Sequence, residues 1–175
     1  MGFIGTGAEM GHIFLTGMMG CGKSAVGKSL ARKLCLPFID LDSMIEREQG
    51  KTINDIFAKG GEPLFRKIES AVLIHAAHTE PDSVISCGGG IVLADENIRV
   101  MRESGTVVWI YREVDQIMKT VDTQKRPLLR GGAEHIRGIF EARKKRYEDS
   151  CHIRIDNRDT IDGAANRIIS ALKAG

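Results

Sequence analysis

The sequence lacks the features that mark membrane, secreted and nucleic-acid-binding proteins. No run of apolar residues approaches the roughly 18 needed to span a bilayer, and the first residues carry no basic-then-apolar signal pattern. Lysine and arginine total 25 against 23 aspartate and glutamate residues, so no basic surplus indicates a DNA or RNA partner. We therefore expect a soluble, cytoplasmic monomer that binds anionic ligands at local sites.

Cysteine and aromatic residues are too scattered or too few to define a site by themselves. The four cysteines form no C-x-x-C pair and have no histidine at zinc-ligand spacing, so we expect free thiols that are mostly buried. The chain has six Phe, two Tyr and one Trp in 175 residues. This leaves no obvious platform on which a nucleobase acceptor could stack.

Short apolar runs alternate with amphipathic stretches of helical length. The runs are rich in Val and Ile and predict buried strands, whereas the stretches between them repeat apolar residues at helical spacing. This alternation is typical of a parallel sheet covered by helices on both faces, a three-layer α/β/α fold. The predicted strands are 13–16, 38–41, 83–86, 106–111 and 152–155, and the predicted helices are 22–34, 62–77, 95–102, 133–149 and 160–173.

No linker rich in proline, glycine or serine divides the chain, so we predict a single domain over residues 12–175. Residues 1–11 are predicted to be a flexible extension. Their glycines resemble a dinucleotide-binding fingerprint, but the third glycine is displaced by one position and only four residues precede the motif, too few for the required strand. The polar stretch 112–132 is predicted to be a mobile loop.

The first predicted strand runs directly into a phosphate-binding loop. Residues 17–24 fit the pattern G-x-x-x-x-G-K-[ST], and a predicted helix follows them. Glycines let successive backbone N–H groups face phosphate oxygens, and the helix N-terminus adds partial positive charge. Lys23 is expected to reach the β- and γ-phosphates of a nucleoside triphosphate, and Ser24 to ligate Mg²⁺. The predicted nucleotide-binding residues of this loop are Gly20, Cys21, Gly22, Lys23, Ser24 and Ala25.

Two aspartates lie at the carboxyl end of the second predicted strand, the edge where open α/β sheets bind ligands. Two neighbouring carboxylates repel each other, and burying them unpaired is costly. We assign Asp40 to the metal, through water, and Asp42 to the acceptor hydroxyl as its hydrogen-bond partner and base. The alternative is that Asp42 and Ser43 cap the next helix.

Two predicted helices carry an arginine that could bind an anion. Arg143 shares a helix face with apolar residues, and its guanidinium suits a carboxylate or a phosphate. The alternative is a solvated basic run over 143–146. Arg66, near the start of its predicted helix, is also a candidate for binding an anion. The alternative is a surface ion pair with Glu69, three residues further on.

Three consecutive glycines follow the third predicted strand. Gly88, Gly89 and Gly90 weaken local structure and are useful where the backbone must approach another group closely. A flexible turn is the alternative explanation. Ser86, just before them, faces the same edge and is a candidate for holding metal-bound water.

Taken together, these motifs resemble the shikimate kinase family over residues 12–173. The motifs that carry the resemblance are the phosphate loop at 17–24, D-x-D at 40–42, F-R-x-x-E at 65–69, the glycines at 88–90, R-P-L-L at 126–129 and R-x-x-x-Y at 143–147. The resemblance implies a P-loop NTPase fold with a five-stranded parallel sheet in the order 2-3-1-4-5 and a mobile lid at 112–132.

The resemblance also implies an activity and its co-substrates. A member of this family transfers a phosphoryl group from ATP, with Mg²⁺, to the 3-hydroxyl of shikimate in the biosynthesis of aromatic amino acids. Arg126 on the lid would stabilise the transferred charge. Lys119 and Arg158, with Asn157, would lie beside the adenine.

The remaining implied residues would bind shikimate. Arg66 and Arg143 would hold its carboxylate, and Glu69 would orient Arg66. The other implied contacts are Asp42, Gly88, Gly89 and Gly90 to the hydroxyls, with Phe57 and Phe65 as apolar walls.

Other functions remain open on these residues. Gluconate also has a carboxylate and hydroxyls, so Arg66 alone does not exclude a gluconate kinase. A nucleoside monophosphate kinase is a further small-molecule alternative. A non-catalytic nucleotide-binding module is disfavoured, because such a protein would not need the acceptor-side Asp42.

Overall fold

The computed structural model describes residues 11–120 and 132–174, in which five strands alternate with seven α-helices. The strands are β1 (His12–Thr16), β2 (Phe38–Asp40), β3 (Val84–Ser86), β4 (Gly105–Tyr111) and β5 (Ile153–Asp156). The helices are α1 (Lys23–Leu34), α2 (Leu41–Gln49), α3 (Ile53–Thr79), α4 (Asp95–Ser104), α5 (Val114–Thr120), α6 (Gly132–Ser150) and α7 (Ile161–Ala174).

The five strands form one parallel sheet in the order β2-β3-β1-β4-β5, as the resemblance predicts. β1 lies at its centre and is fully buried, and α1 packs against α7 while α3 packs against α4. The predicted α/β fold is therefore confirmed. Because all strands point the same way, the loops after β1, β2, β3 and β4 meet at one edge. No helix in the described part of the chain is long and apolar enough to cross a membrane.

Two helical segments precede the predicted start of the helix at residue 62. α2 follows β2 without a loop, and α3 begins at Ile53, where Thr52 and Asp55 form a capping box. Gly61 kinks α3 with a left-handed φ of 65°, just before Pro63. α3 therefore consists of two helical segments that meet at Gly61, and the second begins just after it, in agreement with the predicted helix start at residue 62. The segment before Gly61 is the part of α3 that the sequence prediction lacked.

The part of the predicted lid that the structure describes, residues 112–120, contains a helix. Residues 114–120 form α5, and Ile117 on this helix is fully buried. The polar composition favoured a loop, but two apolar side chains, Val114 and Ile117, are enough to dock this short helix. Gly132 already belongs to α6, and the rest of the predicted lid, residues 121–131, lies outside the described residues. So do residues 1–10 of the predicted extension, whereas the Gly11 N–H donates to Asp82 at 3.1 Å.

His152 anchors the start of β5 to β4. Its backbone N–H donates to the Val107 carbonyl at 2.8 Å, and its ring Nδ1 accepts a hydrogen bond from the Val107 N–H at 2.9 Å. Burial lowers the pKa of His152 below its ordinary value, and the nearby charge of Arg102 lowers it further. The folded state therefore favours the neutral ring, because a protonated Nδ1 cannot accept this bond.

We predict that His152 makes the free energy of unfolding depend on pH. Above about 6.5 the ring is neutral in both states, whereas below that pH the unfolded chain takes up a proton that the folded chain resists, so stability falls. Urea unfolding at several pH values between 5 and 7.5 should show this slope in the wild type. His152→Gln should lose this part of the slope, and His135→Gln, an exposed control on α6, should retain it. Equal slopes in the wild type and His152→Gln would contradict the prediction.

Candidate active site

A cavity of about 390 Å³ opens at the carboxyl edge of the sheet. It is bounded by the phosphate loop, by the ends of β2 and β3, and by the residue that follows β4. Its lining residues are Met19, Gly20, Gly22, Lys23, Ser24, Ala25, Asp40, Asp42, Ser86, Cys87, Gly88, Gly89 and Arg112. The sheet topology thus brings together residues that are up to about 90 positions apart in the sequence.

Glycines shape the phosphate loop. Gly17, Gly20 and Gly22 have φ values of 135°, 80° and 102°, a range that side-chain-bearing residues rarely adopt. A Cβ on Gly17 would also overlap the Ile110 carbonyl of β4, which passes next to the loop. Gly22 caps the N-terminus of α1, so the backbone N–H groups of this turn face the cavity edge.

Lys23 lies beneath this loop. It is 9% exposed, and its Nζ donates to the carbonyls of Gly17 at 2.8 Å and Met18 at 2.9 Å. These bonds hold the ammonium group at the centre of the loop. The predicted contact residue Cys21 turns its side chain into the core, where it is fully buried.

Asn157 forms a hydrogen bond to the backbone of the phosphate loop. Its Nδ2 donates to the Cys21 carbonyl at 2.8 Å, and a Cβ on Gly22 would lie 2.5 Å from the same nitrogen. The family resemblance implies that Asn157 lies beside the adenine, and this stays a prediction. In the structure its buried amide holds the backbone of the phosphate loop.

Oxygen atoms cluster on the β2 and β3 side of the loop. Ser24 Oγ donates to Asp40 Oδ2 at 2.8 Å and lies 3.3 Å from Ser86 Oγ. This hard-oxygen set fits Mg²⁺. Within residues 11–120 and 132–174, no three His, Cys, Asp or Glu side chains are grouped to hold a metal. A site with few protein ligands is the type in which phosphate oxygens and water complete the coordination of Mg²⁺.

The two aspartates have different positions. Asp40 caps α2, because its carboxylate accepts a hydrogen bond from the Ser43 N–H at 3.3 Å. The capping alternative proposed for Asp42 is therefore wrong, since the cap is Asp40. Asp42 lies in the first turn of α2, lines the cavity and is close to Gly88, on which a Cβ would be 3.4 Å from Asp42 Oδ1.

A buried ion pair lies next to the glycine triplet. Glu69 is 0% exposed, and its Oε2 accepts a hydrogen bond from Arg66 Nη1 at 2.7 Å. Arg66 also donates to the more exposed Glu62 at 2.9 Å. Burial raises the pKa of Glu69, and the nearby Arg66 charge opposes this effect. The surface-pair alternative for Arg66 is thus wrong, because its Glu69 partner is inside the protein.

The glycine triplet leaves space for this pair. A Cβ on Gly88 would lie 2.5 Å from Glu69 Oε1, and a Cβ on Gly90 would overlap the Arg66 guanidinium. Gly90 has a φ of −102°, which any residue can adopt, so space rather than backbone conformation requires glycine there. Gly89 passes close to the phosphate loop, since a Cβ on it would be 3.3 Å from Met19 N.

Two side chains of α6 also contact the glycine triplet. Arg143 Nη1 donates to the Gly89 carbonyl at 3.2 Å, and the Tyr147 hydroxyl donates to the same oxygen. Burial raises the pKa of Tyr147, which keeps this phenol a donor. Arg143 is therefore half-buried at the site and does not belong to a solvated basic face. Arg66 and Arg143 are next to neighbouring residues, Gly90 and Gly89, so the two guanidiniums lie beside the same turn.

Two phenylalanines form an apolar floor beside Arg66. The rings of Phe57 and Phe65 stack with centroids 4.8 Å apart, and the Arg66 guanidinium lies 5.1 Å from the Phe65 ring. Phe65 is buried, whereas Phe57 is partly exposed. This surface can support the non-polar face of a small ring.

The predicted adenine contacts are not brought to the cavity. Lys119 is exposed at the end of α5, and the exposed Arg158 pairs with Asp156 at 2.7 Å. Arg126, the predicted catalytic arginine of the lid, lies outside the described residues. Sequence reasoning also missed Arg112 as a cavity residue, although its position directly after β4 on the ligand-binding edge could have indicated it.

Comparison with known proteins agrees with this arrangement. A sequence model of the shikimate kinase family matches residues 19–173. The shikimate kinase of Clostridium botulinum (strain Eklund 17B / Type B) is 41% identical over 156 residues, which cover 89% of this chain and 93% of that protein. The solved shikimate kinase from Acinetobacter baumannii in complex with shikimate has a TM-score of 0.89 at 31% identity, covering 94% of each chain.

A solved gluconokinase from Sinorhizobium meliloti is less similar. It covers 95% of this chain and 93% of its own with a TM-score of 0.57, but it is only 16% identical. That similarity concerns the fold alone, so the shikimate kinase prediction is supported over the gluconate kinase alternative. On the family match, the sequence identity and the structural similarity together, the chain belongs to the shikimate kinase family.

Proposed function

We propose that the cavity binds ATP and shikimate side by side, and that the 3-hydroxyl of shikimate accepts the γ-phosphoryl group to give shikimate 3-phosphate and ADP. Family membership makes the chain a kinase that transfers phosphate to shikimate, with ATP as co-substrate. The observation that best supports the proposed site is the adjacency of the phosphate loop, Asp42, Gly88 and Gly89 in one cavity.

Asp42 is the proposed base. The hydroxyl oxygen attacks the γ-phosphorus as the bond to the β-phosphate oxygen breaks, and the electron pair of that bond leaves with ADP. The hydroxyl proton passes to the Asp42 carboxylate, which lines the cavity next to Gly88. Lys23, held at the centre of the loop, supplies positive charge to the phosphate chain.

Arg66 and Arg143 are the proposed carboxylate clamp of shikimate. Their guanidiniums contact adjacent residues of the triplet, and two guanidiniums can hold one carboxylate by charge-assisted hydrogen bonds. Phe57 and Phe65 then provide the wall beside the ring of shikimate. Fixing the carboxylate at one end orients the hydroxyl toward Asp42 at the other.

Mg²⁺ is the proposed metal, and Ser24 and Asp40 are the residues that would hold it. Their oxygens are 2.8 Å apart, and Ser86 adds a third oxygen within 3.3 Å of Ser24 Oγ. When bound, the ion supplies charge neutralisation to the phosphate oxygens. The hydrogen bond from the Ser43 N–H to the Asp40 carboxylate, which caps α2, fixes the orientation of this carboxylate.

Asp42→Asn tests the proposed base. The amide keeps the size of the side chain but does not accept the proton, so kcat for shikimate should fall by about 10²-fold or more. The Kd of ADP should stay within about twofold of the wild type, since Asp42 is assigned to the acceptor. A coupled ADP-release assay and calorimetry measure the two quantities. Asp149→Asn, an exposed acid-to-amide change on α6, is the matched control. Turnover of Asp42→Asn near the wild-type rate would remove Asp42 from the mechanism.

Gly90→Ala tests the proposed clamp. Because the new methyl group would overlap the Arg66 guanidinium, the arginine must move and the KM for shikimate should rise by about tenfold or more. The KM for ATP should change little. Gly138→Ala on α6, where a Cβ would meet nothing within 4 Å, is the control and should leave both constants unchanged. An unchanged KM for shikimate in Gly90→Ala would show that the position of Arg66 does not matter for binding.

A further inference from the structure

Arg112 lies beside the phosphate loop because β4, which precedes Arg112, pairs with β1, which precedes the loop. β4 runs parallel to β1, with Trp109 opposite Thr16, and the Ile110 carbonyl is in contact with Gly17 at the start of the loop. Arg112 follows the end of β4 and therefore emerges at the ligand-binding edge. Its side chain lines the same cavity as Lys23 and Ser24.

The guanidinium of Arg112 has a buried donor without an acceptor. Its Nε is shielded from solvent and has no hydrogen-bond partner in the described part of the chain. Neighbouring acids are engaged elsewhere: Glu113 accepts the Tyr111 hydroxyl at 2.5 Å, and Asp115 pairs with Arg137 at 2.5 Å. A buried polar nitrogen is rarely left unsatisfied without a reason, and here it belongs to a cation at the edge of a phosphate site.

The position of Arg112 complements the two aspartates. The strand order places β4 and β2 on opposite sides of β1, so Arg112 approaches the loop from the side opposite to Asp40 and Asp42. A phosphate chain in the loop would have oxygens facing both sides. The carboxylate side suits a metal and a hydroxyl, whereas the Arg112 side can bind phosphate oxygens directly.

We propose that Arg112 is a further nucleotide-binding residue, which donates hydrogen bonds to phosphate oxygens of ATP and ADP. This inference rests on the proposed function only in that the nucleotide binds at residues 17–24. Arginine suits the task, because its planar donors can hold two phosphate oxygens at once and it stays charged at all relevant pH values. Arg112 thus adds a second cation to Lys23 on the nucleotide side of the cavity.

Direct ADP binding tests the proposal without any acceptor, so the result does not depend on the identity of the phosphorylated substrate. Calorimetry should give a Kd for ADP that is roughly tenfold or more higher in Arg112→Ala than in the wild type. Arg112→Lys should have an intermediate Kd, because it keeps the charge but loses the planar fork. Arg99→Ala, which removes an exposed arginine on α4, is the matched control and should bind ADP like the wild type.

Thermal unfolding separates nucleotide binding from a structural role. Because Arg112 Nε has no hydrogen-bond partner among residues 11–120 and 132–174, Arg112→Ala without nucleotide should unfold at the wild-type temperature or above it. The variant should then gain less stability than the wild type from a fixed concentration of ADP. A Kd for ADP within twofold of the wild type would overturn the proposal. So would a less stable variant whose stabilisation by ADP equals that of the wild type.

Discussion

The proposed shikimate-binding side of the site depends on the burial of one carboxylate. Glu69 is fully buried, and a buried charge without a partner would be destabilising. Arg66 compensates this charge by forming an ion pair with Glu69. The pair in turn excludes side chains from Gly88 and Gly90, which explains the glycine run by space alone. The same pairing holds the Arg66 guanidinium toward the site, where it can meet an anionic ligand.

The glycine triplet also connects the two halves of the cavity. Gly89 approaches the backbone of the phosphate loop, and its carbonyl accepts hydrogen bonds from Arg143 and Tyr147 of α6. The proposed nucleotide side and acceptor side therefore share one turn that these contacts hold in place. Fixed placement suits phosphoryl transfer, in which catalysis consists mainly of positioning and of electrostatic stabilisation.

The sequence predicts the parts of this architecture that leave a local signal. Alternating strands and helices, the phosphate loop and an arginine on an apolar helix face all have regular spacings. The Gly-Gly and Pro signals correctly mark the start of the helical segment after Gly61, but they do not show that another segment of α3 leads directly into it. The burial of Glu69 could not be predicted, since an Arg-Glu pair three residues apart has the same sequence inside the protein or on its surface. The position of Arg112 directly after a predicted strand could have indicated that it lies at the ligand-binding edge, whereas its proximity to the phosphate loop depends on the pairing of β1 with β4, which is not visible locally.

The central claim is that Glu69 holds Arg66 in position to bind a carboxylate, and an ADP-release assay with shikimate and its methyl ester tests it most directly. The wild type should have a much lower KM for shikimate than for the ester. Glu69→Gln keeps the shape of the side chain but removes the buried charge that draws Arg66 away from Glu62. In this variant the discrimination should fall by roughly tenfold, through a higher KM for shikimate and not through a change for the ester. An unchanged ratio of the two KM values in Glu69→Gln would contradict the account.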